Sequence, residues 1–357
     1  MTRVIVVDDS AFFRSSITKM LTQDSEIEVI GVAKDGIEGL EKIKNLKPDV
    51  VTMDIEMPKL DGISTLKIIM DEMPLPVIMV SSLTKEGAEA TLKALEFGAV
   101  DFIPKYPGNS LASMDLAALS SDLCTKVKAV AARAKRFPLK RIRKDKVPII
   151  SPVKKDFFTS PNHSERSRRD IIAIGVSTGG PPAVQKVLSE LPETFPACIL
   201  IAQHMPAAFT KPFAERLNSM CKISVKEAEH GNPIKNGIAY VCPGGRHLRL
   251  DLKGALPQIS VVSEPSRALY KPSANVLMES VGKSMGGRSV GVIMTGMGSD
   301  GVEGMRVLKS KGGFVIAQSE ASCVVYGMPK AIVDGGLADE VVDLDNIAER
   351  VASALYK

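Results

Sequence analysis

Short apolar runs that stop at a polar residue and give way to an amphipathic stretch recur along this chain. That alternation restricts the fold more than any other feature. Val4-Ile5-Val6-Val7 stops at Asp8-Asp9-Ser10, and Val50-Val51-Thr52-Met53 stops at Asp54. Pro76–Val80 stops at Ser81, Val100–Ile103 leads to Lys105, and a further strand is expected near Glu28–Val32. Such continuous apolarity reads as strand buried on both faces, where a half-wet strand would alternate. Between the strands, helices are predicted at about Gly36–Asn45, over Ile63, Leu66, Met70 and Met73, and over Ala88, Leu92 and Leu95. Leu116, Leu119, Leu123, Val127 and Val130 mark one more. Strict strand–helix alternation means parallel strands with helices packed on both sides.

The pattern resumes at Ile171-Ile172-Ala173-Ile174, followed by a helical stripe of Val184, Val187, Leu188 and Leu191. Ile199–Ala202, Ser289–Met294 and Phe314–Ala317 read as further strands, with Val302, Met305 and Leu308 on a helix. With 357 residues, two domains are expected. The predicted fold class is α/β: two doubly wound parallel-sheet domains joined by a linker. Periodicity fades from about Ala131 to Arg169, where Pro138, Pro148, Pro152 and Pro161 interrupt any helix. Between Lys126 and Arg169 there are 15 Lys/Arg against 3 Asp/Glu, a formal +12, so the +5 of the whole chain leaves −7 for the remainder. The basic character thus belongs to a tether, helical at its start and flexible later. It carries no aromatic ladder or recognition-helix pattern, so no nucleic-acid partner is expected.

No apolar run approaches the ~20 residues of a spanning helix, and no membrane insertion is expected. The N-terminus begins directly with a strand and shows no signal-peptide pattern. Five scattered cysteines without a C-x-x-C spacing suit reduced thiols and a cytoplasmic location.

Polar residues at strand ends carry the chemistry. Asp8, Asp9, Asp54, Ser81 and Lys105 all follow apolar strands, at the carboxyl edge where parallel sheets bind ligands. Three gathered carboxylates repel one another unless a hard cation such as Mg2+ sits among them. Lys105 and Ser81 then suit a phosphoryl group on Asp54. Simple polar capping of strands accounts for one or two such residues, not for five on one edge.

In the second half, Gly175-x-Ser177-x-Gly179 sits between strand and helix, the spacing that places a serine hydroxyl on a tight turn beside a positive helix end. The same turn could cradle a phosphate, although no Lys follows in P-loop register. Ser177, His204 and Asp300 each follow an apolar strand within a few residues, so a parallel sheet puts all three on one edge. A serine needs a base to take its proton, an imidazole suits that role, and a carboxylate fixes the imidazole tautomer. Of the four histidines, His204 alone follows a strongly apolar strand; His163 falls in the linker, His230 before a turn, and His247 in a loop. Metal hydrolysis is disfavoured, since no H-E-x-x-H or clustered Cys/His spacing exists. A non-catalytic binding domain and a nucleic-acid-binding output domain remain the alternatives.

Residues 1 to about 122 resemble a response-regulator receiver, of flavodoxin-like fold. Asp8 and Asp9 match its acidic pair, Asp54 the phosphoacceptor, Ser81 the switch hydroxyl, Phe102 the switch aromatic and Lys105 the invariant lysine. The Met57-Pro58-x-x-Asp61-Gly62 loop matches too, and the resemblance implies Mg2+ held by Asp8, Asp9, Asp54 and the carbonyl of Glu56. Tyr106 departs from the pattern by standing between Lys105 and Pro107.

The whole chain resembles the chemotaxis protein-glutamate methylesterases, the CheB family. Gly-x-Ser-Thr-Gly-Gly-Pro, Gln-His-Met-Pro and Thr-Gly-Met-Gly-x-Asp-Gly carry this likeness, with Tyr240-x-x-Pro243-x-x-x-His247-Leu248, Lys271-Pro272-Ser273 and Gln318 through Met328-Pro329. It implies a receiver at 1–122 and a Rossmann-like three-layer hydrolase at 170–357; the basic linker between them, 123–169, is read from its composition and is not a signature of that family. The implied activity is phosphorylation-gated removal of methyl groups from receptor glutamate esters, with deamidation of receptor glutamines. Ser177 is the implied nucleophile, His204 the base and Asp300 its orienter, without a cofactor at that site. The N–H of Met297 and groups near Thr178 are the expected oxyanion donors. The implied partners are methyl-accepting chemoreceptors as substrate and a chemotaxis histidine kinase as phosphodonor. Asn275 stands where the family has an acidic residue, so no carboxylate role is carried over to it.

Overall fold

The computed structural model describes residues 1–105, 116–137, 169–254, 256–266 and 268–357. Most of the expected linker, and the Tyr106–Pro107 step, lie outside the described residues. The chain divides into two units, Met1–Val147 and Pro148–Lys357.

The first unit holds β1 (Thr2–Val7), β2 (Ile27–Ala33), β3 (Val50–Asp54), β4 (Val77–Ser82) and β5 (Asp101–Lys105) in the order β2-β1-β3-β4-β5. Every pairing is parallel. All of β3 and all but the last residue of β4 are buried, as unbroken apolar runs require. Between the strands come α1 (Ala11–Leu21), α2 (Gly36–Leu46), α3 (Gly62–Glu72) and α4 (Lys85–Glu96), with α5 (Leu116–Arg136) last. Helix α1 packs on α5, while α2, α3 and α4 pack in succession. Side chains of Asp35, Asp61 and Thr84 cap α2, α3 and α4 by accepting the N–H of Glu38, Ser64 and Gly87, which fixes where each helix starts. Helix α5 extends to Arg136.

Because β2 lies on one side of β1 and the later strands on the other, the chain reverses direction of winding between β1 and β3. Ligands bind at such a switch point. Asp8 follows β1 there and Asp54 ends β3. Gly62 closes this edge: its N–H donates to the Ile55 carbonyl at 2.9 Å, and a Cβ at residue 62 would fall 1.9 Å from the Asp54 carbonyl oxygen.

The second unit is built on seven parallel strands, β6 (Ile171–Val176), β7 (Cys198–Gln203), β8 (Ser224–Glu227), β9 (Ile238–Val241), β12 (Ser289–Ile293), β13 (Phe314–Gln318) and β14 (Glu340–Val342). Their order is β14-β13-β12-β6-β7-β9-β8. The central β6, β7 and β12 are buried at every residue. Helices α6 (Gly180–Ser189), α7 (Ala207–Met220), α8 (Ala274–Met285), α9 (Val302–Ser310), α10 (Met328–Asp334) and α11 (Leu344–Ala354) accompany them. An antiparallel hairpin, β10 (His247–Lys253) with β11 (Leu256–Val262), leads into the loop before α8. One core runs from Ile171, Leu200 and Tyr240 through Leu248 and Ile259 to Leu277, Met278 and Met305. Cys198 and Cys323 are fully buried in this unit, as their apolar surroundings predict.

Periodicity does not delimit α7, whose interior holds Pro212, nor the short edge strands. Strand β5 begins one residue later than expected and ends on Lys105 itself. We predict that Gly62→Ala destabilises the first unit by about 1–3 kcal/mol, the usual range for overpacking. A urea titration followed by resonances of that unit tests this; an unchanged midpoint would show that the loop yields freely.

Candidate active site

The second unit gathers Ser177, His204 and Asp300 at the carboxyl edge of its sheet. Val176 pairs with Gln203 in register, and the His204 N–H donates to the Val176 carbonyl at 3.0 Å. Ser177 and His204 therefore begin adjacent strand exits. On its other side the Ser177 N–H donates to Thr295 at 3.0 Å, at the start of the loop that carries Asp300. A Cβ at Gly296 would lie 2.8 Å from that of Ser177, so only glycine permits this approach.

Asp300 is 8 % exposed and receives four hydrogen bonds. His204 Nε2 lies 2.8 Å from Oδ2, and the Ala274 N–H donates to the same oxygen at 2.6 Å. Ser273 Oγ and the Asn275 N–H donate to Oδ1 at 2.9 and 3.0 Å. The carboxylate thus sits on the first turn of α8, where unpaired N–H groups and the helix dipole favour negative charge. Burial alone would raise its pKa. The His204 hydrogen bond and charge, then the N–H groups of Asn275 and Ala274, outweigh burial and hold it below the ordinary carboxylate value.

A carboxylate can only accept, so Nε2 carries the imidazole proton and Nδ1 the lone pair. Nδ1 is buried and has no hydrogen-bond partner among the described residues. One ring face stacks on Tyr270, with centroids 4.2 Å apart and planes 13° from parallel. Two buried amides brace the edge. Gln203 Nε2 donates to the carbonyls of Ser177 and His204, both at 3.1 Å. Gln318 Oε1 accepts the Thr295 N–H at 2.8 Å, and Thr295 Oγ1 donates to the Thr178 carbonyl at 2.9 Å. Among the described residues, no hydrogen bond occupies the N–H of Thr178 or Met297.

Sequence reasoning missed Ser273, Tyr270, Gln203, Thr295 and Gln318 as parts of this site, although four of them lie within the motifs quoted above. Asn275 serves structurally: its Oδ1 accepts the Gly304 N–H at 2.9 Å, fastening α9 to α8. His247, expected in a loop, begins β10 instead, and its Nε2 lies 3.2 Å from the Pro265 carbonyl.

The first unit holds a separate cluster. Ligand oxygens of Asp8, Asp9 and Asp54 lie within 4.8 Å of one another. Lys105 Nζ is 2.8 Å from Asp8 and 2.6 Å from Asp54, and also lies over the Phe13 ring. Ser81 is buried and its hydroxyl donates to the Gly87 carbonyl at 3.1 Å. Phe102 is buried at 6 % exposure. Glu56 lies in the loop after β3, lining an open cleft with Asp9, Met57 and Asp61. Burial pushes the Asp54 carboxyl up to about 6; Lys105 opposes this through its hydrogen bond and charge, and Asp8 adds to the rise.

The chain therefore joins a unit with an aspartate–lysine cluster at its sheet edge to an α/β unit with a serine–histidine–aspartate edge. It belongs to the CheB methylesterase family, whose pattern it matches over residues 172–351, and residues 4–112 match the response regulator receiver domain. A relative from Nitratidesulfovibrio vulgaris, "Protein-glutamate methylesterase/protein-glutamine glutaminase 2", is 58 % identical over all of both chains. A protein-glutamate methylesterase/protein-glutamine glutaminase of Pyrococcus abyssi is 44 % identical over 99 % of this chain and 93 % of its own. The crystal structure of the Thermotoga maritima CheB methylesterase catalytic domain is 37 % identical. It covers 52 % of this chain and 98 % of that one, with a TM-score of 0.51. No helix among the described residues is long and apolar enough to cross a membrane.

A carboxyl raised from 3.8 to about 6 favours the fold while protonated. That contribution is complete below the unfolded value and is lost as pH rises through about 6. In metal-free protein, Asp54→Asn should then stabilise the first unit at pH 8 by about 1–3 kcal/mol and scarcely at pH 4. Denaturation at both pH values checks this; an equal effect at both contradicts it.

Proposed function

We propose that this chain is a phosphorylation-gated protein-glutamate methylesterase and protein-glutamine deamidase that acts on methyl-accepting chemoreceptors during sensory adaptation. The observation that carries the reading is the His204 imidazole, fixed by Asp300 through Nε2, with Nδ1 buried and unpartnered at the strand exit beside Ser177.

The chemistry follows from that tautomer. Ser177 Oγ attacks the side-chain carbonyl of a glutamyl methyl ester while His204 Nδ1 takes the hydroxyl proton. The imidazolium gives this proton to the departing methoxide, so methanol leaves and an acyl-serine remains. Water then attacks, again deprotonated at Nδ1, and the receptor carboxylate is released with Ser177 restored. With a glutamine, ammonia leaves in the first half and the second half is unchanged. Asp300 stays ionised and stabilises the imidazolium. The N–H groups of Met297 and Thr178, which no hydrogen bond occupies among the described residues, receive the negative oxygen, where loss of one donor typically costs ~10²–10³ in turnover. No cofactor enters this scheme.

Residues 1–122 act as the receiver, 123–169 connect, and 170–357 catalyse. A chemotaxis histidine kinase supplies the phosphoryl group to Asp54, with Lys105, Ser81 and Phe102 responding to it. The hard oxygen set of Asp8, Asp9 and Asp54 suits Mg2+; these residues, with the Glu56 carbonyl, would hold the ion, which neutralises charge at the phosphoryl group when bound. Such a protein works in the cytoplasm, beside the receptor's signalling helices.

Wild-type protein should release methanol from methyl-labelled receptor, faster with a small phosphodonor and Mg2+. Ser177→Ala should reduce release by at least ~10³-fold in both conditions. Release that survives in Ser177→Ala contradicts the catalytic reading, whereas equal wild-type rates in both conditions contradict only the gating.

A further inference from the structure

The described residues between β11 and α8, 263–266 and 268–273, bring Tyr270 against His204 and are tied down at several points. The neutral His247 ring donates from Nε2 to the Pro265 carbonyl at 3.2 Å, since a carbonyl can only accept. His247 itself is wholly buried. Lys271 Nζ donates to the Ser263 carbonyl at 3.3 Å, Arg246 bonds the Ser263 hydroxyl, and the Gly245 N–H donates to the Lys271 carbonyl at 3.1 Å. At the far end Ser273 is bonded to Asp300. Between these anchors the loop delivers Tyr270, whose ring lies flat on the imidazole of His204.

We infer that Tyr270 is a positioning residue for His204: its stacked ring holds the imidazole in the plane set by Asp300 and favours the imidazolium formed during acyl transfer, with His247 as the anchor that keeps the Tyr270 loop in place. This deepens the esterase reading and rests on it. An aromatic face attracts a cation through its quadrupole, more strongly than it attracts the neutral ring. The stack therefore stabilises the protonated state that the transition state resembles. It also removes rotation about the side chain, which a single hydrogen bond to Asp300 leaves open. The charged group bonded to the imidazole is Asp300. On the Tyr270 loop, Lys271 is engaged with Ser263, and Glu264 accepts the Ser266 N–H at 2.6 Å.

The test uses the full-length protein with labelled imidazole carbons, titrated by NMR, beside kcat/KM for methanol release across pH. Tyr270→Leu should move the His204 midpoint down by about half a pH unit and lower kcat/KM about two- to fivefold, the range expected for such a contact. Tyr270→Phe should keep the wild-type midpoint, and Tyr270→Trp should raise it. His247→Ala should reproduce the Leu effect and His247→Gln, which retains a side-chain N–H donor, should restore it. An unmoved midpoint in Tyr270→Leu, or a fall in Tyr270→Trp, overturns the stacking role. A wild-type midpoint in His247→Ala overturns the anchor role. Should Tyr270→Leu not fold, the Trp and Phe variants decide alone. The NMR midpoint is read without turnover, so the two failures are distinguishable: a wild-type protein that releases no methanol sinks the esterase reading, whereas an unmoved Tyr270→Leu midpoint beside a wild type that does release it sinks only the positioning role.

Discussion

One buried carboxylate organises the serine–histidine edge of the second sheet. Asp300 takes N–H groups from the first turn of α8, a hydroxyl from Ser273 and the imidazole proton of His204. An ionised carboxylate away from water is costly unless its oxygens are satisfied. Here each oxygen has two donors, and the helix end supplies favourable potential besides. The consequence reaches across the sheet. With Asp300 committed as acceptor, His204 can carry its proton only on Nε2, which leaves the lone pair on the buried, unpartnered Nδ1. Swapping the carboxylate for an amide would offer a donor where an acceptor is required, and the imidazole tautomer would no longer be fixed.

The parallel sheet explains why residues so distant in sequence converge. β6 lies between β12 and β7, so the serine emerges flanked by the histidine strand and the aspartate loop. Buried amides then lock the exits together: Gln203 joins Ser177 to His204, and Gln318 joins Thr295 to β13. The receiver solves a related problem with the opposite outcome. Its carboxylates share a single lysine and stay crowded, and burial raises Asp54. One edge keeps its anion ionised by four hydrogen bonds, while the other leaves Asp54 raised by burial with one lysine as its cation.

Strand-end chemistry was legible in the sequence because buried strands announce themselves by unbroken apolarity, and the residue after each must lie on the binding edge. The strand-end positions of Asp54, Lys105, Ser177 and His204 were read this way, and the parallel arrangement of the two main sheets bears out the α/β reading. Tyr270 and Ser273 were not legible as site residues. They sit in a loop whose course depends on His247 and Arg246, tertiary contacts that leave no periodic trace. Helix α7 was hidden by Pro212, and the edge strands β8 and β14 are short and half-exposed, so their local signal is weak. Asn275 shows the reverse case, a departure from the family pattern that still fastens two helices through its side-chain oxygen.

The proposed chemistry requires a serine made nucleophilic by one imidazole. Reaction of the full-length protein with a fluorophosphonate, followed by peptide mapping, measures that directly. A single adduct on Ser177, forming at least ~100-fold more slowly in His204→Ala, is the result predicted. An adduct on another residue, or one on Ser177 that forms at the same rate without His204, would contradict it.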